Sequence, residues 1–390
     1  MRPPPSPPLG FVPRLAGLYI GLFLFSGVQQ PFFPVWLKAK GLDPSWIGLA
    51  VALPSLVRVF GIAFAAREAD RRDALRQALA ICACLSVAAY ALVGASSGAL
   101  VVFMTYLMAS LVYAPLMPLT DTYALKGLWA RGRAYGPVRL WGSIAFIAGN
   151  FVAGAALDLM PAQHLIWIMV AATAVTASAA LTLVPVSAAA PEAQAPRVAR
   201  TGLLRDRGFI AVLAAASLIQ ASHAVYYGFS ALQWRGDGLD GGSIGALWAI
   251  GVFAEIVLFA FQARLSISST GLLVIGAAGA LARWGVMMLN PPAALLPFLQ
   301  ILHALSFGAT HLGALTYVAR HAGEGQAATA QGHLAIALSA VMAVTSAVSG
   351  PLYAQYGVAS YAAMALMAVA GGVAARIAGR AGAIADMPRG

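Results

Sequence analysis

Residues Ser243–Ala263 read SIGALWAIGVFAEIVLFAFQA, twenty-one positions that carry one charge, Glu255, near the middle. At 1.5 Å per residue such a helix is about 31 Å long, which matches the hydrocarbon thickness of a bilayer. No water is available there to satisfy the peptide groups, so the stretch must bond internally as a helix. Similar runs recur from one end of the chain to the other. Of 390 residues, 61% are hydrophobic and 9% charged, against roughly 25% charged in a soluble domain. A water-soluble globular protein is excluded, and an all-α membrane protein follows. Most of the 40 Gly and 22 Pro lie inside apolar runs, where small residues let helices approach and proline breaks are tolerated.

Working outward, the predicted spans are Pro13–Leu37, Ser45–Ala66, Ala74–Ala95, Leu100–Tyr123, Tyr135–Leu157 and His164–Val184, then Gly208–Trp234, Ser243–Ala263, Thr270–Met288, Ala293–Tyr317, Ala328–Tyr353 and Ala359–Ala378. The one long polar break, 185–207, holds four arginines and reads as a flexible linker. Twelve helices in two bundles of six, 1–184 and 208–390, are expected. The first run is too long for a signal core and has no clear small-residue cleavage site after it, so it reads as a retained span. A shift of 196 positions superposes Gly136 on Gly332, Ser143 on Ser339 and Gly154 on Gly350. This fits two parallel repeats with a central site at their interface.

The net charge of +11 is explained by position. With the N-terminus inside, nineteen Lys and Arg fall in cytoplasmic segments and helix ends, and three, Lys38, Lys40 and Arg235, on the opposite side. The bias places both termini in the cytoplasm. There is no basic and aromatic stripe and no long basic tail, so no nucleic-acid partner is expected; anionic lipid and orientation account for the excess. Cys82 and Cys84 point to different sides of one helix and make neither a disulfide framework nor a metal site. No Gly-rich phosphate loop, nucleotide motif or nucleophile elbow is present, so no cofactor is expected and an enzyme lacks support.

An ionisable group in a spanning helix costs several kcal/mol unless it has a partner or faces water, which makes each one a candidate site. Arg58, Asp121, Arg139, Glu255 and Arg283 are such charges, joined by His223, His303, His311 and His333. Three arginines against two carboxylates leave room for an anionic solute. Tyr106, Ser110, Tyr113, Met117 and Asp121 share a face of the fourth span, which Pro115 and Pro118 should bend. Arg139, Ser143, Phe146 and Asn150 repeat that spacing on the fifth. Asp121 and Arg139 either lock the two helices together or take part in binding and coupling. Glu255 shares a side with Trp248, Phe259 and Gln262, and is the best proton-carrier candidate unless it is permanently paired with Arg283 or Arg58. Gln220, His223, Tyr227 and Ser230 share a face, as do Gln300, His303, Phe307 and His311. Trp141, Phe146, Trp248 and Tyr227 are candidate ring-stacking residues.

Two blocks carry a family resemblance. Ala66-Arg67-Glu68-Ala69-Asp70-Arg71-Arg72, with Arg76 following, resembles the acidic and basic conformational loop of the major facilitator superfamily, although Arg67 and Glu68 replace its opening. Tyr135-Gly136-Pro137-Val138-Arg139-Leu140-Trp141-Gly142-Ser143 resembles the fifth-helix motif of the proton symporters grouped around lactose permease and the phenylpropionate permeases. In those proteins a fourth-helix carboxylate lies 18 positions before the fifth-helix arginine, and the ninth-helix arginine and tenth-helix histidine lie 20 apart. Asp121 and Arg139, and Arg283 and His303, keep these spacings. Where the sugar symporters have a carboxylate one turn after that histidine, this chain has Ser306.

The resemblance implies a monomeric, multi-pass transporter of the bacterial inner membrane that imports a small organic solute with a proton. Arg139 and Asp121 would bind the solute together with Ser143, Phe146, Asn150, Trp141, Gln220, His223 and Tyr227. Glu255, Arg283, His303 and Asp121 would couple the proton, and Asp70, Arg71, Arg72 and Arg76 would form the conformational loop. A phenylpropionate-like aromatic acid is the expected solute; a sugar or nucleoside symporter is the alternative, then a multidrug antiporter.

Overall fold

The computed structural model describes residues 10–71, 74–186, 202–264, 267–321 and 326–385, with the backbone alone for some helical residues, Arg58, Asp70 and Arg71 among them. Arg72 and linker residues 187–201 lie outside the described residues. Among the described residues every regular element is a helix. Ten helical segments are long and apolar enough to cross a membrane. One, Thr329–Arg380, is 52 residues long and takes in all but the first residue of the last two predicted spans, while the second predicted span is represented by the shorter apolar stretch Pro44–Val57.

The chain divides into two compact units, Met1–Trp36 with Val57–Glu192 and Leu37–Leu56 with Ala193–Gly390. The first contains most of α1 (Phe11–Ala39), the end of α2 (Pro44–Arg71), α3 (Leu75–Ala95), α4 (Ala99–Tyr113), α5 (Leu116–Trp129), α6 (Tyr135–Leu159) and α7 (Leu165–Leu181). The second contains the start of α2 with α8 (Arg207–Ala221), α9 (Ala224–Gly236), α10 (Gly241–Phe261), α11 (Ser269–Met287), α12 (Leu296–Ile301), α13 (Thr310–His321), α14 (Ala327–Tyr356) and α15 (Tyr361–Ala385). Hydropathy assigns residues 37–56 to the first bundle by chain order; packing assigns them to the second, where Gly48 lies against the backbone of Gly350.

Lipid is as apolar as leucine, so helices in a bilayer associate through close packing rather than escape from water. In the first unit, Leu15, Leu18, Tyr19 and Leu22 of α1 form a core with Leu79, Ala83, Leu119, Tyr123 and Ala180. A side chain on Gly27 would strike the carbonyl of Phe146, so glycine is what lets α1 and α6 touch at backbone distance. In the second, Phe209, Val212 and Ala216 of α8 pack with Leu273, Tyr317, Val318 and Ala375.

Three predicted spans are interrupted. Pro115 has no N–H, and the fourth span divides there into α4 and α5, as the prolines led one to expect. The seventh divides without proline: Ser222 Oγ donates to the Ile219 carbonyl at 2.6 Å, and His223 Nδ1 lies 3.0 Å from the Gln220 carbonyl. Side chains that take backbone carbonyls in this way compete with the helix. The tenth passes from α12 through a π-helical turn, Ala304–Ala309, into α13. His303 stands immediately before that turn.

Candidate functional site

In the first unit the break after α4 sets Asp121 one turn into α5. Tyr19 from α1 donates to Asp121 Oδ1 at 2.6 Å and Tyr135, the first residue of α6, donates to the same oxygen at 2.9 Å. Arg139, one turn further along α6, lies with its guanidinium 3.9 Å from the centre of the Phe23 ring and 5.6 Å from that of Tyr19. The ring faces attract the cation. No Asp121–Arg139 ion pair is formed: the two are linked through Tyr19, whose hydroxyl serves the carboxylate and whose ring faces the arginine. Arg139 is partly exposed and makes no ion pair among the described residues.

The other first-unit candidates separate by helical angle. Ser143, Phe146 and Asn150 share the Arg139 face of α6. Phe146 and Asn150 are buried against α1, with Asn150 Nδ2 donating to the Phe146 carbonyl at 3.0 Å. Trp141 lies about 200° round the helix from Arg139. It is 50% exposed beside Leu140 and Ile144 and is not brought together with them. Of the expected loop residues, Asp70 and Arg71 form the end of α2 and Arg76 lies at the start of α3, where its Nη1 donates to the Leu183 carbonyl at 3.3 Å.

The second unit holds a continuous polar chain. Arg283 of α11 is wholly buried; its Nη2 donates to Gln300 Oε1 at 2.6 Å, and its Nη1 meets His303 Nδ1 at 3.1 Å. A guanidinium has no acceptor, so this second bond runs from arginine to imidazole. It puts the ring proton of neutral His303 on Nε2, which lies 3.7 Å from Glu255 Oε2. His223 has the opposite tautomer. Its Nδ1 can only donate to the Gln220 carbonyl, leaving Nε2 to accept from Ser306 Oγ at 3.1 Å. Ser306, one turn after His303, is thus the partner of a second histidine.

Aromatic rings enclose this chain. The Arg283 guanidinium lies 4.3 Å from the ring centre of Tyr226 and 4.7 Å from that of Trp284. Tyr226 stacks on Trp248 at 4.5 Å and donates to Gln300 Oε1 at 3.0 Å. Tyr227 stacks on His223 at 5.7 Å, and Phe307 on His303 at 5.2 Å. Four buried N–H groups of the cluster, Arg283 Nε, Gln300 Nε2, Gln220 Nε2 and Trp248 Nε1, have no acceptor among the described residues. The set is rich in donors, which suits an acceptor-rich solute. Among the described residues no group of three or more His, Cys, Asp or Glu is placed to hold a metal.

The chain order and the face spacings signalled Gln300, His303, Arg283 and Glu255. They did not signal Tyr19, Tyr135, Tyr226 or Trp284. Each of these four is an aromatic with a polar tip at a position where sequence reads as ordinary packing. The signal available was that each lies within a turn of a candidate or, for Tyr19, at the start of the first span.

An all-helical protein with apolar runs of bilayer length and small charged networks inside them is a multi-pass membrane protein. The comparisons with known proteins make that assignment particular. Residues 12–363 match the model of the MFS_1 like family. The chain is 31% identical over 360 residues to the probable 3-phenylpropionic acid transporter of Escherichia coli strain K12, covering 90% of this chain and 93% of that one. It is 28% identical over 320 residues to the maltose permease of Geobacillus stearothermophilus, 80% of each. The fold is similar to that of the nucleoside transporter NupG, with a TM-score of 0.79 at 18% identity over 97% of this chain and all of that one. It also resembles a bacterial homologue of the lysosomal transporter Spinster, with a TM-score of 0.73 at 13% identity, covering 95% of this chain and 96% of that one. The chain belongs to the MFS_1 like family and is a transporter of the major facilitator superfamily with a small-molecule substrate.

Proposed function

We propose that the protein is a proton-coupled symporter of a small aromatic carboxylate, working by alternating access as a monomer of twelve helices with both termini in the cytoplasm. The observation that carries this reading is Arg139: an arginine in a membrane helix, cushioned on Phe23 and Tyr19 and making no ion pair among the described residues. Such a charge is costly in an apolar setting without an anion, and its planar fork fits a carboxylate through two parallel N–H bonds. The 31% identity to the probable 3-phenylpropionic acid transporter supports the same solute class. Phe146, on the same face of α6 as Arg139, is the ring assigned to the aromatic end.

Proton coupling is assigned to Glu255. Arg283 occupies His303 Nδ1, so a proton added to that ring would face a fixed guanidinium. His223 is likewise engaged at both nitrogens. Glu255 Oε2, 3.7 Å from His303 Nε2, is the carboxylate of this polar chain and the group assigned the proton. Asp121, held by two phenol donors, anchors the Arg139 end.

The test is uptake into proteoliposomes under an imposed pH gradient, acid outside. Radiolabelled 3-phenylpropionate should enter well above the rate in protein-free liposomes under the same gradient, where the neutral acid crosses unaided, and dissipating the gradient should end that excess. A chain that accumulates none of a panel of aromatic acids, sugars and nucleosides overturns symport; accumulation of a sugar or nucleoside alone overturns the carboxylate.

A further inference from the structure

Gly142 and Gly149 of α6 both face α1, on one side of their helix because seven positions are close to two turns. Glycine inside a helix is disfavoured relative to alanine, so what a side chain would meet at each position matters. Gly149 lies against the Leu24 carbonyl, where a methyl carbon would come within 2.7 Å, and Gly27 of α1 lies against the Phe146 carbonyl. These are contacts of backbone with backbone, and they set the distance between the two helices.

Gly142 is buried and does something different. The three atoms nearest to a methyl carbon there belong to side chains: Phe23 Cδ2 at 2.8 Å, Phe23 Cγ at 3.1 Å and Arg139 Nη1 at 3.1 Å. The empty place at position 142 is shared by the ring and by the guanidinium that lies 3.9 Å from the ring centre. Tyr19, one turn before Phe23 on α1 with ring centres 6.5 Å apart, is tied by its hydroxyl to Asp121. Phe23 has no polar tip, and packing alone sets its place. With α1 and α6 already touching at Gly27 and Gly149, the helices cannot move apart to accept a methyl. Arg139 Nη1 ends a long side chain and can give way, whereas Phe23 Cγ is bonded to Cβ and moves only if χ1 changes. The ring is therefore what a methyl displaces.

We infer that Gly142 is a positioning residue for solute capture: it leaves room for the Phe23 ring beneath Arg139, and the ring holds the guanidinium in one orientation before a carboxylate arrives. An arginine not held in this way has to be ordered at binding, and that ordering is subtracted from affinity. The role rests on Arg139 being the partner of the solute carboxylate, as proposed above, and adds two residues, Phe23 and Gly142, that act through it.

The full-length protein, purified in detergent, is titrated with 3-phenylpropionate by calorimetry, and thermal unfolding is followed on the same samples. Gly142→Ala should weaken binding about threefold and Phe23→Leu about as much, with unfolding midpoints close to that of the unmodified chain. The two losses should not add, because in Phe23→Leu the ring that the methyl would strike is gone. Phe23→Tyr keeps the ring face and should retain most of the binding. Gly136→Ala, on the same helix where a methyl would meet nothing within 4 Å, should leave affinity unchanged. If Gly142→Ala lowers the unfolding midpoint, Phe23→Leu decides, and unchanged affinity in it overturns the role. Additive losses, an equal loss in Gly136→Ala, or unchanged affinity in Gly142→Ala where Arg139→Lys lowers it would each overturn the positioning role alone. Unchanged affinity in Arg139→Lys would overturn the carboxylate reading and this role with it.

Discussion

The two units contain the same kinds of polar residue and connect them differently. In the second, Arg283 is completely enclosed and committed: to Gln300, to His303 and to the faces of Tyr226 and Trp284. In the first, Arg139 is partly exposed and rests on rings, while the nearby carboxylate, Asp121, is held by phenols. A buried arginine with both terminal nitrogens bonded to side chains fixes the tautomer of His303 and cannot turn to a new ligand without breaking those bonds. An arginine supported from below by aromatic faces keeps its donors for whatever comes. In the proposed function, rigidity and proton handling belong to the second unit and solute capture to the first.

Breaking this comparison starts at the largest expected effect. Glu255→Gln should abolish accumulation driven by a pH gradient while leaving solute-for-solute exchange in proteoliposomes; accumulation that survives with its proton dependence intact would place the proton elsewhere. Next is Arg283→Met, which leaves Gln300 Oε1 and His303 Nδ1 without their charged donor. It should cost about 2–4 kcal/mol of stability, seen as a lower unfolding midpoint in detergent. Arg139→Lys should move the other observable: solute affinity falls about tenfold, roughly 1.4 kcal/mol, because an ammonium cannot make the paired bonds, and the unfolding midpoint hardly changes. If Arg139→Lys destabilises as much as Arg283→Met, the contrast between the units is wrong. The smallest effect belongs to Tyr19→Phe. It removes one of two donors to Asp121 Oδ1 and should cost about 1 kcal/mol of stability, with a modest loss of solute affinity.

Much of the fold was legible from hydropathy because bilayer thickness sets a length that composition must meet, and the apolar runs of this chain meet it. The break between α4 and α5 was legible because proline lacks a donor. The break between α8 and α9 was not, since it is made by Ser222 and His223 turning back on their own helix, which ordinary residues do only in context. Residues 37–56 show a further limit. Hydropathy finds a helix but not the body it packs with, and that is decided by contacts such as Gly48 on Gly350.

At the site, spacing signalled Asp121, Arg139, Glu255, Arg283 and His303, and the structure joins the last three in one chain. It does not pair Asp121 with Arg139, because Tyr19 and Tyr135 reach the carboxylate first. Complementary charges on adjacent helices predict nearness; hydrogen-bond geometry decides the partner. Trp141 lies two positions beyond Arg139, more than half a turn round α6, and the structure leaves it half-exposed on another face. The residues least legible were the tyrosines and tryptophans of the second unit, which pack as rings and bond through their tips, so their polar role is invisible without neighbours.

The π-helical turn Ala304–Ala309 has a consequence for how this segment is compared with others. A π turn holds one more residue than an α turn, so it acts as a single-residue insertion that leaves the helix axis intact while rotating everything after it by about 100°. The spacing of four still brings side chains together across the turn, where Phe307 stacks on both His303 and His311, but an alignment against a sequence with an uninterrupted helix slips by one. Removing one residue from the turn would let it relax to an α-helix and would carry Ser306 away from His223 without changing the identity of either.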